Sequence, residues 1–264
     1  MPLPDVRGSE ALAWESLHVP GPGQDVHVRV FRAAGAARGW LVWAHGGSWR
    51  AGSVDDWHPA CADLARAAGA TVVSVGYRLA PRHPHPAALA DVLTAMDWAQ
   101  AQSPAPVAVG GDSAGGTIAA CAALVWRDRK RPLAAQVLAY PPFDPACRAP
   151  SYSHSPQAFP SRAGLMAAWR DYRGTARRHP DAVGASPLYS TPDETDDLTG
   201  LAPAILAVGT LDPVADDVHG YAERLRAAGN AVELREFGGM HHGAFLSDPV
   251  LRHWLGSTYS RRTA

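Results

Sequence analysis

The chain has 264 residues, is 47% hydrophobic, and carries 24 basic against 25 acidic residues for a formal net charge of −1. That length and apolar content suit one large domain with a substantial core, spanning 1-264. A near-neutral balance with no block of like charge excludes nucleic acid and polyanions as expected partners. The opening Met1-Pro2-Leu3-Pro4-Asp5 lacks the charged and apolar regions of a signal peptide, and no apolar run is long enough to span a bilayer, so a soluble, cytoplasmic protein with no membrane partner is expected. Cys61, Cys121 and Cys147 are odd in number and lack metal-ligand spacing, which reads as three buried free thiols.

In chain order, residues 1-23 are rich in Pro and Gly and are expected to form a loose lead-in, with one short amphipathic piece at Ser9 to Leu17. Val26 to Phe31 alternates Val with His27 and Arg29 and predicts a half-buried antiparallel strand. Ala33 to Gly39 is the turn, and Trp40 to Ala44 is a continuous apolar strand running into His45-Gly46-Gly47-Ser48-Trp49. Asp55 to Ala68 predicts a helix closed by Gly69, and Ala70 to Val75 a buried β-branched strand. After the Pro-rich stretch Tyr77 to Pro86, a helix is predicted over Ala87 to Gln100.

Val107 to Val109 reads as a short strand and Thr117 to Trp126 as a helix, with Gly111-Asp112-Ser113-Ala114-Gly115-Gly116 between them. Ala134 to Tyr140 is a further strand. From Asp144 to about Leu188 the periodicity is lost apart from a helix at Ser161 to Arg173, and this stretch, about 144-188, is expected to be a small helical lid insertion. Ala204 to Gly209 and Val232 to Phe237 are the last strands, separated by a helix over Asp217 to Ala228. A final helix runs from Pro249 to about Tyr259. Strands alternating with helices at this spacing predict an α/β fold with a mostly parallel central sheet and helices on both faces.

The stretch around Ser113 is where chemistry is expected. A strand-to-helix turn between small residues lifts a serine hydroxyl clear of the sheet and sets the helix N-terminus behind it. A serine is a poor nucleophile at neutral pH, so it needs a histidine base and an acid that orients the histidine. In a parallel sheet these belong in loops beyond the carboxyl ends of the strands. Asp212 follows one such strand, with Asp216 and Asp217 as nearby rivals, and His241 and His242 follow the next. The order Ser, Asp, His is that of the nucleophile-elbow hydrolases. Oxyanion donors are expected from the backbone N–H groups of Ala114, Gly46 and Gly47, with His45 bracing the loop rather than reacting.

Several motifs agree in order with one family. His45-Gly46-Gly47-Ser48-Trp49 is similar to an HGGG loop, Tyr77-Arg78-Leu79-Ala80-Pro81 with His83 to Ala88 to a YRLAPEHPFPAA segment, and Gly111 to Gly116 to a GDSAGG elbow. Ala185-Ser186-Pro187-Leu188, Asp212-Pro213 and Gly239-Met240-His241-His242-Gly243 complete the set. The chain thus resembles the hormone-sensitive-lipase-like branch of the α/β-hydrolases, which includes many small bacterial carboxylesterases. The resemblance implies an α/β-hydrolase fold, a Ser113-His242-Asp212 triad in which the His-Gly step selects His242, and a cofactor-free serine hydrolase that cleaves small-molecule carboxylic esters. It also leaves an amidase, lactonase, formamidase, acyltransferase or cyclase role open, and a catalytically dead ligand-binding homologue as a reading of another class. A homodimer is left open as well.

The departures bear on substrate choice. Ser48 replaces the third glycine of the loop, Arg82 stands in place of Glu, and Ala244 stands in place of Phe with Phe245 one position later. Ser48, Trp49, Trp169 and His241 are expected to line the substrate pocket. His58, His83 and His85 resemble a cluster but lack a carboxylate or thiol at ligand spacing, so no metal is expected.

Overall fold

The structure is a computed structural model, and it describes residues 12–21, 23–33, 39–153, 159–174 and 188–263. Its strands are β1 Ala13–Val19, β2 Val26–Arg32, β3 Trp40–Ala44, β4 Thr71–Gly76, β5 Ala108–Asp112, β6 Gln136–Ala139, β7 Ala204–Gly209 and β8 Val232–Phe237. They form one eight-stranded sheet in the order β1-β2-β4-β3-β5-β6-β7-β8. β2 runs antiparallel to both β1 and β4, and every pairing from β4 to β8 is parallel. The helices are α1 His58–Ala68, α2 Ala87–Gln102, α3 Ala114–Asp128, α4 Arg162–Arg173, α5 Ala215–Ala227, α6 Ala244–Ser247 and α7 Pro249–Thr263.

The central strands are built mostly from apolar and small residues, with the polar exceptions at their ends, Asp112 closing β5 and Gln136 opening β6. β5, β6 and β7 are buried along their whole length, as β3 is from its second residue on. A strand buried at every position has both faces covered, and here α1 packs on α7 while α2 packs on α3. The fold is therefore α/β with a mostly parallel sheet. Among the described residues no helix is long and apolar enough to cross a membrane, and all three cysteines are buried free thiols.

Two expectations need correction. The stretch expected as a loose lead-in contains β1, an edge strand that pairs with β2 from Ala13 opposite Arg32 to Val19 opposite Val26. Its residues are mostly exposed, so its sequence carries no burial pattern, and pairing with β2 is what makes it a strand. The helix expected from Asp55 starts at His58 instead. Ser53 holds the preceding turn, taking the Asp56 N–H on its hydroxyl and the Trp57 N–H on its carbonyl.

The expected lid stretch, about 144-188, contains a short 3-10 turn at Pro150–Ser153 and α4. Ser161 caps α4 by accepting the Gly164 N–H, and Leu165, Ala168, Trp169 and Tyr172 form its buried face. Residues 154–158 and 175–187 of that stretch, which include Ala185, Ser186 and Pro187 of the expected motif, and residues 34–38 of the turn expected over Ala33 to Gly39 lie outside the described residues.

Candidate active site

The site gathers at the carboxyl ends of β3, β5, β7 and β8, beside the β3–β5 pair where the chain order of the strands reverses. Ser113 joins β5 to α3 with φ 51° and ψ −122°, a conformation costly for any residue with a Cβ. Its N–H donates to Ala139 O at 2.8 Å, which fixes the turn to the end of β6. The turn is so tight that a Cβ on Gly115 would strike the carbonyl oxygens of Ala44 and His45, so only glycine lets β3 and α3 approach this closely.

Ser113 Oγ lies 2.7 Å from His242 Nε2, and His242 Nδ1 lies 2.9 Å from each carboxylate oxygen of Asp212. An ionised carboxylate only accepts, so Nδ1 carries the proton, and Nε2 is left free to accept the Ser113 hydroxyl. Both side chains of the His–Asp pair are almost fully buried, which shields their interaction from water. Asp212 is fixed in turn by accepting the Val214 N–H at 3.0 Å.

The neighbouring carboxylates are occupied elsewhere. Asp216 accepts the Ser151 N–H at 2.8 Å. Asp217 accepts the Phe143 and Asp144 N–H groups and the Tyr152 hydroxyl, and burial raises its pKa to about 6. His241 is exposed beside His242.

On the other side of Ser113, a Cβ on Gly46 would sit 3.4 Å from Ser113 Cβ and 2.7 Å from Asp112 Oδ2, so the Gly46 backbone passes close to Ser113. Among the described residues, the Gly46, Gly47 and Ala114 N–H groups donate to no carbonyl or side chain, which leaves all three available as donors. His45 braces this loop from below. Its ring stacks on Tyr77 with centroids 4.2 Å apart, and Tyr77 OH donates to His45 O at 2.7 Å. Burial lowers the His45 pKa to about 4, so the ring is neutral at physiological pH.

Trp49 and Trp169, expected to line the substrate pocket, are both buried and pack on each other, centroids 4.3 Å apart. Ser48 is half-buried with φ 55°. Of the three histidines read as a possible cluster, His85 meets Leu188 O at 2.9 Å and Tyr172 OH at 3.3 Å, and His58 Nδ1 lies 3.2 Å from the Arg29 guanidinium.

The sequence reading missed a supporting layer. Asp112 is buried and accepts the indole N–H groups of Trp57 at 2.9 Å and Trp43 at 3.2 Å on one oxygen. Trp43 in turn stacks on Phe245 at 4.6 Å and 19°. Phe245 donates its N–H to Tyr140 OH at 2.6 Å, and the Tyr140 ring packs edge-on against His242 at 4.8 Å. The turn that carries Ser113 and the loop behind His242 are therefore tied together through Trp43. Phe245, one position beyond its expected place, still fills the core behind the histidine. A buried indole seeks an acceptor and a buried carboxylate seeks donors, so Trp43, Trp57 and Asp112 were the available signal, though it does not reveal which pairs with which.

An eight-stranded, mostly parallel sheet that presents a strained serine on a strand-to-helix turn, with histidine and aspartate on later loops, defines an α/β-hydrolase fold. Residues 41–246 match the family model described as alpha/beta hydrolase fold. The chain is 38% identical to the carboxylic ester hydrolase LipN of Mycobacterium tuberculosis, over 86% of this chain and 63% of that protein. It thus spans less than two thirds of that relative's length. A hyperthermophilic esterase from the archaeon Pyrobaculum calidifontis superposes with a TM-score of 0.84 at 32% identity, covering 96% of this chain and 87% of that one. An esterase from the bacterial hormone-sensitive lipase family superposes with a TM-score of 0.83 at 29% identity, covering 100% of this chain and 87% of that one. The chain belongs to the α/β-hydrolase family, in its hormone-sensitive-lipase-like branch.

Proposed function

We propose that this chain is a carboxylesterase-type serine hydrolase acting on small-molecule esters, with Ser113 as nucleophile, His242 as general base and acid, and Asp212 as the group that orients His242. The observation that carries the reading is the continuous hydrogen-bonded series from Ser113 Oγ through His242 to buried Asp212. Ser113 attacks the ester carbonyl as His242 Nε2 takes its proton, and the oxyanion forms among the Gly46, Gly47 and Ala114 N–H groups. His242 then protonates the leaving alcohol. Water, activated by the same nitrogen, releases the acid from Ser113 and restores the enzyme. No step calls for a cofactor.

The chain acts as one catalytic domain in this reading, with the 144-188 insertion as its lid. The three free thiols support a reducing, cytoplasmic setting.

Turnover of p-nitrophenyl acetate, butyrate, octanoate and laurate tests the reading, with Ser113→Ala and His242→Ala as controls. Hydrolysis that disappears in both variants is the expected result. A protein that binds these esters without turning them over would contradict it, and a single burst that stalls would point to an acyl acceptor other than water.

A further inference from the structure

The loop that passes close to Ser113 is wound in an unusual way. Gly47, Ser48 and Trp49 have φ of +103°, +55° and +59° in succession. Glycine takes such angles freely, whereas a serine and above all a bulky tryptophan hold them only when their surroundings enforce them. Upstream, the loop is pinned to the core, where Tyr77 OH reaches both His45 O at 2.7 Å and Gly46 O at 3.3 Å. Downstream, Trp49 O accepts the Ala80 N–H at 2.9 Å, and the Trp49 side chain is held by α4.

That hold has three parts. Tyr172 lies flat on the Trp49 ring, centroids 4.6 Å apart at 12°, and Trp169 meets it at 4.3 Å and 47°. Arg50, the next residue, pairs with Asp171 at 3.1 Å. α4 is itself fixed, because Tyr172 O accepts the His85 N–H at 2.6 Å. Among the described residues, the buried indole N–H groups of Trp49 and Trp169 meet no hydrogen-bond partner. Hydrogen bonding therefore gives no reason for burying these indoles, and packing of the ring faces is what keeps Trp49 in its strained conformation.

We propose that Trp169 and Tyr172 are positioning residues that clamp Trp49 and so hold the Gly46 and Gly47 N–H groups aimed at the oxyanion. The proposal rests on the esterase reading above. It makes α4, an insertion between β6 and β7, a working part of the oxyanion loop rather than a wall of the substrate pocket.

The test uses the full chain with Trp169→Ala, Trp169→Leu, which keeps apolar bulk without a ring face, and Trp169→Phe, which keeps a ring. Amide hydrogen exchange is read by mass spectrometry in peptides spanning 45–51 and 107–117. Loss of the ring should speed exchange in 45–51 by about tenfold or more and leave 107–117 unchanged. It should lower kcat for p-nitrophenyl butyrate by about tenfold or more with KM within about twofold, because the oxyanion donors act in the transition state. A trifluoromethyl ketone, whose adduct with Ser113 carries the oxyanion, should bind more weakly by the same factor, and Trp169→Phe should restore all three.

Unchanged exchange in 45–51 in the Ala and Leu variants overturns the clamp, as does a raised KM with kcat intact, which would return Trp169 to the pocket wall. If the wild type hydrolyses no ester, the esterase reading falls, and the exchange measurement still decides whether α4 holds the loop.

Discussion

Trp57 donates its indole N–H to Asp112 at 2.9 Å, across 55 residues of chain, and so anchors the residue next to Ser113. The carboxyl is fully buried, and burial raises its pKa to about 7, with the hydrogen bonds from Trp57 and Trp43 and the nearby His242 opposing part of that rise.

The pH dependence follows from that burial. In the unfolded chain the same carboxyl ionises near the usual value of about 4. Between about pH 4 and the folded value near 7, the folded state keeps a proton that the unfolded chain has lost. Stability therefore falls as pH rises through this window, and the loss is complete above it. Asp112→Asn keeps an acceptor for both indoles and removes the titration. The difference in melting temperature between the variant and the wild type should move in the variant's favour from pH 4 to 7 and then level off. A difference that stays flat across that range in thermal melts would show that Asp112 does not titrate there.

Tyr140 offers a second, independent check. Its hydroxyl is the acceptor for the Phe245 N–H at 2.6 Å, and its ring touches His242. Tyr140→Phe keeps the ring and leaves a buried N–H unpaired, a change that costs about 1–3 kcal/mol. Urea denaturation should show that loss, and kcat should fall because the loop carrying His242 is less firmly held. Unchanged stability would mean that the Phe245 N–H finds another partner.

Much of the site is legible in the sequence because its elements are local. Trp40 to Ala44 and Ala204 to Gly209 read as strands from unbroken apolar runs, and Gly111 to Gly116 reads as a turn because small residues surround a serine. β1 is hidden because an exposed edge strand has no burial pattern, and α6 because four residues are too short to show a helical period. The Trp57 and Trp43 bonds to Asp112 join residues 55 and 69 positions apart. Nothing in local spacing encodes such a meeting. An aromatic on an insertion helix, such as Trp169, reads in sequence equally well as pocket wall or core. Its contact with Trp49 joins residues 120 positions apart and has no local signature.

The central claim is that His242 activates Ser113 as a nucleophile. Its most direct test is labelling of the wild type with a fluorophosphonate, followed by mass spectrometric mapping of the modified residue. The account predicts one adduct per chain, on Ser113, and loss of rapid labelling in His242→Ala. An adduct on another residue, or a Ser113 that reacts as fast without His242, would contradict it.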